Sequence, residues 1–395
     1  MMVEGLTFAS RFDKVTGSAI REIFKYLGRP GMISFAGGNP SLAALPDEVC
    51  AEIARDVLKA DGKRILQYGA TEGYAPFLES LQAYLTKQYG FDWEMNGLLP
   101  TTGSTSCMDL KCKAFLNPGD AVLVESPTFL GNMQTLNLYQ AKLVPVESDE
   151  GGVMLDKLEE AIKEHHPKLF YVIPSFQNPS GRTLAADRRK PIAELAAKYG
   201  FLVLEDDPYR DLRYTGEHLP TIKSYDQTGH VAYMGSFSKI ISPGLRVGYL
   251  VAEKDILRKC TIGKQGTDLH TPNLNQAIVD QFLRRDMLDK HIASIIPAYR
   301  EKMELMLKEL ESFPEGTRYT VPEGGLFIWV EMPESFNATE VFQKAVEAGV
   351  AYVPGTHFYP YGGHHNTFRL NFSNSTPDQI REGMAKLRKL FEENI

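Results

Sequence analysis

The chain is expected to be an α/β protein, with a large domain built on a mostly parallel central sheet flanked by helices and a smaller α+β domain. Between residues 95 and 255, strand-like apolar runs, polar loops and amphipathic helical stretches alternate, the signature of a parallel sheet crossed by helices. The strand runs, such as LFYVI at 169–173, are apolar almost throughout, as strands covered on both faces must be. RYTVPEGGLFIWVEMP (318–333) and NTFRLNFS (366–373) then read as strands of a second unit, with helices at ATEVFQKAVEAG and after TPDQI. At 395 residues the chain exceeds one average domain. The expected division is an N-terminal arm with part of the small domain at 1–46, the large domain at 47–285 and the C-terminal small domain at 286–395.

In order, Ile20, Ile23, Phe24 and Leu27 stand at helical spacing inside SAIREIFKYLG, and Gly28 and Pro30 end that helix. ISFAGGNPS is a short strand running into Gly37 and Gly38, where a backbone can approach a ligand or simply turn. DEVCAEIARDVLKADG is an amphipathic helix capped by Asp47. QYGATEGY puts Tyr68 on a loop; taken alone, Tyr68 reads as a half-buried packing residue. LLPTTGSTSCMDLKCKAF reads as loop, glycine turn and helix, so Gly103, Ser104 and Thr105 form a helix start that suits an anion. GDAVLVESP is a strand ending at Pro127, and Phe129 just beyond reads by itself as core. Asn178 follows the strand LFYVI at the edge where ligands sit in open α/β sheets. The helix at DRRKPIAELAAKYG carries Pro191, tolerable in a first turn or as a kink. A long helical stretch is expected from 275 to 312.

The residues richest in chemistry lie at 233–249, YMGSFSKIISPGLRVGY. A buried strand that delivers Lys239 to a cleft would desolvate its amine, lower its pKa and make it a nucleophile. Ser236, Ser238 and Arg246 around it form a hydroxyl and guanidinium set suited to a phosphate. Glu205, Asp206 and Asp207 invite a metal, but adjacent strand residues point to opposite faces and cannot converge on one ion. His165 with His166, and His364 with His365, lack ligand spacing and read as surface loops. Arg369 sits among apolar strand neighbours and needs either a structural salt bridge or an anionic ligand.

SFSK followed by PGLRVGY resembles the lysine segment of class I/II aminotransferases of pyridoxal-phosphate (PLP) fold type I. SFAGGNPS, QYGATEGY, IPSFQNPSGRT, EDDPYRDL and FRLNFS extend the resemblance over nearly the whole chain. The N-terminal SAIREIFKYLGRPGMISFAGG is most similar to the 2-aminoadipate and kynurenine-type aminotransferases. The resemblance implies pyridoxal 5'-phosphate bound to Lys239 as a Schiff base, and transfer of an amino group from an amino acid to a 2-oxo acid, 2-oxoglutarate being the expected acceptor. It implies that Asp206 keeps the ring nitrogen protonated and that Tyr209 and Asn178 bond the phenolic oxygen. Phe129 would stack on the ring where many relatives have tyrosine. Ser104, Thr105, Ser236, Ser238 and Arg246 would hold the phosphate; relatives usually have glutamine where Thr105 stands. Tyr68 would reach the phosphate of the other subunit of a homodimer. Arg369, Asn178 and Gly38 would meet the substrate α-carboxylate, and Arg21 the distal carboxylate of dicarboxylic substrates. The segment KQGTDLHTPNLNQ (264–276) also resembles the relatives but suggests no role. A C–S β-lyase or an amino-acid decarboxylase of the same fold would share Lys239 and the phosphate set. The effector domain of a transcription regulator is a further alternative, disfavoured because no basic winged-helix module precedes Asp47.

Composition narrows the classes. Apolar residues at 43% and charged residues at 24% are ordinary for a globular protein. A net charge of -7 offers no basic excess for nucleic acid. The four cysteines form no CxxC pair, which fits a reducing compartment, and no apolar run approaches membrane-spanning length. The expectation is a cytoplasmic protein with no membrane partner.

Overall fold

The structure, a computed structural model, describes residues 6–13, 15 and 31–395. The expected helix around Ile20 to Leu27, and with it Arg21, lies outside the described residues.

The strands in chain order are β1 (Ile33–Ser34), β2 (Asn96–Thr101), β3 (Ala121–Ser126), β4 (Lys142–Asp149), β5 (Gly152–Val153), β6 (Leu169–Val172) and β7 (Leu202–Asp206). They continue with β8 (Val231–Ser236), β9 (Gly248–Glu253), β10 (Arg318–Tyr319), β11 (Phe327–Glu331), β12 (Val350–Ala351), β13 (Val353–Pro354) and β14 (Thr367–Asn371). An eight-stranded sheet has the order β2-β9-β8-β7-β6-β3-β4-β5. Its centre, from β8 through β4, is parallel, and β9 and β5 run against their neighbours.

The strand period explains why this sheet is buried on both sides. Val122 and Val124, Leu169 and Tyr171, and Leu202 and Leu204 face one core. Their neighbours Leu123, Phe170, Val172 and Val203 face the other, beneath helices Leu155–His165 and Ala186–Tyr199. The same alternation separates the three carboxylates. Glu205 lies on the second face, where it accepts backbone N–H bonds from Ile222 (2.8 Å) and Lys223 (2.7 Å). Asp206 turns to the first face.

A four-stranded antiparallel sheet, β10-β11-β14-β13, forms the second unit, and β1 pairs in parallel with β12. Arg369 lies at the middle of β14, opposite Trp329 on β11 and Val353 on β13.

Several local expectations change. Asp47 is the first residue of helix Asp47–Ile65 rather than its cap, which is Pro46; its carboxylate still complements the positive helix end. The long helical stretch breaks into Asn273–Arg284 and Leu288–Leu310, with Asp286 between them in the left-handed region at φ 51°. Pro191 lies in the second turn of Ala186–Tyr199, beyond the free first-turn N–H groups. His165 is the last residue of its helix rather than a loop residue. Among the described residues no helix is long and apolar enough to cross a membrane, and no group of three His, Cys, Asp or Glu side chains could hold a metal ion. All four cysteines are free.

Candidate active site

Neighbouring strands of the large sheet end at one edge. β6 leads to Asn178, β7 ends at Asp206 with Tyr209 after it, and β8 leads to Ser238 and Lys239. At the side of this edge, Thr101, Gly248 and Ser236 pair in a row across β2, β9 and β8. The residues beyond that row, namely Gly103 to Thr105, Ser238 and Arg246, are therefore drawn together.

Asp206 is buried, with 3% exposure. Its Oδ2 accepts from the Tyr171 hydroxyl (2.8 Å) and Asn132 Nδ2 (3.4 Å), whereas Oδ1 has no partner among the described residues. Burial pushes its carboxyl up to about 7, against the lowering pull of the Tyr171 hydrogen bond. Tyr171 and Asn132 were not anticipated from the sequence. Tyr171 pairs with Leu204 in register and so shares the face of Asp206, and a lone hydroxyl in an otherwise apolar strand was the available signal.

Lys239 Nζ donates to the Gly38 carbonyl at 2.7 Å. Burial first, then the Arg369 and Arg246 charges, lower its pKa to about 8. Arg369 is 1% exposed and has no carboxylate partner among the described residues. It donates to Asn178 Oδ1 (2.7 Å) and the Ala36 carbonyl (2.6 Å), lies over the rings of Phe327 (4.3 Å) and Phe358 (5.0 Å), and leaves Nε without a partner among the described residues. Among the described residues, a structural salt bridge is therefore not what satisfies it. Burial brings its pKa down to about 10. Asn178 Nδ2 also donates to the Tyr209 hydroxyl at 3.4 Å, so Asn178 links Arg369 on β14 to Tyr209 after β7.

Arg246 extends across the other end. Nη1 reaches Ser238 Oγ at 3.5 Å and Nη2 the Thr102 carbonyl at 3.1 Å. Gly103, at φ 78°, caps helix Ser104–Phe115, and a Cβ there would collide with the Arg246 guanidinium. Ser236 Oγ accepts the Ser238 N–H at 3.2 Å. Thr105 and Arg246 are exposed. Phe129 is half-buried at the start of helix Leu130–Leu138 instead of in the core. Tyr68, read by itself as half-buried, is 80% exposed and stands edge-on to His270 at 6.2 Å.

Comparison with known proteins places the chain in a family. The family model "Aminotransferase class I and II" matches residues 30–387. The chain belongs to the class I and II aminotransferases. This aminotransferase is 39% identical to aromatic-amino-acid aminotransferase 1 of Thermococcus litoralis, over 98% of this chain and 94% of that protein. A solved kynurenine aminotransferase from Pyrococcus horikoshii, in complex with PMP, superposes with a TM-score of 0.95 at 39% identity, covering 98% and 97% of the two chains. An α-aminoadipate aminotransferase from Thermus thermophilus, complexed with N-(5'-phosphopyridoxyl)-L-leucine, gives 0.90 at 38% identity, over 98% and 97%. The chain is thus a PLP-dependent aminotransferase of fold type I.

Proposed function

We propose that this aminotransferase carries its cofactor on Lys239 and moves the amino group of an L-amino acid to a 2-oxo acid, 2-oxoglutarate being the expected acceptor. The observation that carries this reading is Lys239, donating to the Gly38 carbonyl at 2.7 Å, with its pKa lowered to about 8 by burial and the Arg369 and Arg246 charges. Its neutral amine is available near neutral pH as nucleophile and as proton carrier at the substrate Cα.

The groups left unsatisfied fit pyridoxal phosphate. The cofactor supplies a protonated ring that withdraws electrons from the substrate Cα. Asp206 Oδ1, buried and without a partner among the described residues, would accept the ring N–H, and the positive ring would in turn keep the carboxylate ionised. Tyr209 and Asn178 would bond the phenolic oxygen, and Phe129 would lie against the ring face. Ser104, Thr105, Ser236, Ser238 and Arg246 would hold the phosphate at the helix start. Arg369 would grip the α-carboxylate, with Asn178 and Gly38 beside it; its planar fork suits a carboxylate in a way that an ammonium does not.

The relatives' names span aromatic amino acids, kynurenine and α-aminoadipate, so the proposed donors are long or bulky side chains, with Arg21 as the candidate for a distal carboxylate. A homodimer with Tyr68 contributed across the interface, a cytoplasmic location and the division at 47–285 and 286–395 belong to the same proposal. The test is the absorption of the purified holoenzyme as single amino acids are added without an oxo acid. Loss of the lysine-bound cofactor band with some of them, restored by 2-oxoglutarate, is expected. A band that no amino acid converts to the amine form would favour a lyase or decarboxylase.

A further inference from the structure

The segment 264–276, for which no role could be read in the sequence, forms a strap between two parts of the site. Lys264, wholly buried, donates to Asp268 Oδ1 (2.7 Å) and Oδ2 (2.8 Å). Asp268 Oδ2 in turn accepts the Thr102 hydroxyl at 2.7 Å, a contact across 166 positions of sequence. The carbonyl of the same Thr102 accepts Arg246 Nη2. Further along, His270 Nε2 accepts the Gly69 N–H (3.2 Å), Asn273 Nδ2 donates to the Gln67 carbonyl (3.1 Å) and Gln276 Oε1 accepts the Tyr74 N–H (2.9 Å). The strap thus ties the Thr102 loop and the Tyr68 loop to one scaffold.

We infer that Asp268 is a positioning residue for the cofactor phosphate, acting through Thr102 to fix the loop that aims Arg246 and opens the anion-binding helix at Ser104. This inference rests on the reading of Arg246 and that helix start as the phosphate site. The Arg246 guanidinium is exposed, and its second contact, to Ser238, is a long 3.5 Å, so its direction depends on where the Thr102 carbonyl stands. The carboxylate is suited to this work. Burial tends to raise its pKa, but the Lys264 and Thr102 hydrogen bonds outweigh that and hold it below the ordinary value. A Lys264–Asp268 pair serving only to close helix Lys254–Gln265 would need no bond to Thr102.

The test compares affinity for pyridoxal phosphate with affinity for pyridoxal, which lacks the phosphate, in the purified holoenzyme and in the same protein reloaded with each. The variants are Thr102→Val, which spares the buried Lys264–Asp268 pair, Asp268→Asn, and Arg246→Ala as reference. Thr102→Val and Asp268→Asn are expected to weaken pyridoxal phosphate about tenfold, the size of a lost charge-assisted hydrogen bond, and to leave pyridoxal within about twofold. Equal weakening of both ligands would show general damage and overturn the inference. So would unchanged affinity in both variants while Arg246→Ala loses pyridoxal phosphate. If Arg246→Ala also leaves pyridoxal phosphate unaffected, the phosphate assignment itself fails and the inference falls with it.

Discussion

The two ends of the proposed cofactor site are built differently. At the ring end, Asp206, Asn178 and Tyr209 are 3%, 3% and 5% exposed and already hydrogen-bonded to protein neighbours. At the proposed phosphate end, Arg246 and Thr105 are exposed. The ring end grows from the ends of adjacent strands in one buried sheet, so its groups are placed by the fold itself before any ligand arrives. The phosphate end is assembled from a helix start, a loop arginine and a strap. Its arginine remains solvated, so the free chain bears less desolvation cost there than at the buried ring end. Chemistry should therefore be most sensitive to the buried end, and cofactor retention to the exposed one.

The largest expected effect is at Lys239. Lys239→Ala should lower turnover by about 10³-fold or more in steady-state assays, while the protein still holds some cofactor by its phosphate. Next comes Asp206→Ala, expected to lower kcat about 10²- to 10³-fold, because an electrostatic partner of the reacting system is removed from a water-poor site. A comparable loss from Thr105→Ala would break the contrast between the two ends. Arg369→Lys should raise KM for amino acids about tenfold to a hundredfold and change kcat less, since the bidentate fork is lost but the charge is kept. The smallest is Tyr171→Phe, which takes one donor from Asp206 and should cost about threefold to tenfold in kcat.

The pH dependence follows from Lys239. Burial and the two nearby guanidinium groups disfavour the ammonium form, so the neutral amine fraction rises with pH, reaches one half near pH 8 and approaches completion above it. The rate at which cofactor-free protein captures pyridoxal phosphate should therefore be half-maximal near pH 8 and level at higher pH. A midpoint near the solution value of about 10.4 would mean that the amine is solvated. Arg369→Leu, which removes one of the two positive neighbours, should shift the midpoint to higher pH.

Much of this was legible in the sequence. The near-continuous apolar runs of β3, β6 and β7 announced a parallel sheet covered on both faces, and the residues just after β6 to β8 were expected at its carboxyl edge. The carboxylate run resolved as strand alternation demands, with Glu205 and Asp206 on opposite faces. What escaped were contacts between distant parts of the chain: Tyr171 and Asn132 on Asp206, the Ala36 carbonyl on Arg369, and Asp268 on Thr102. No spacing rule links positions so far apart, because only register and packing bring them together. Tyr68 is 80% exposed in the single chain, against the packing role its ring alone suggested, while the reach to a second subunit that the family motif implied remains a proposal.

The most direct test of the account is borohydride reduction of the purified holoenzyme followed by peptide mapping. Reduction locks a lysine-bound cofactor onto the residue that carries it. The phosphopyridoxyl mass is predicted on the peptide containing Ser236, Ser238 and Lys239, at Lys239. The same mass on another lysine, or on none, would contradict the assignment of the whole site.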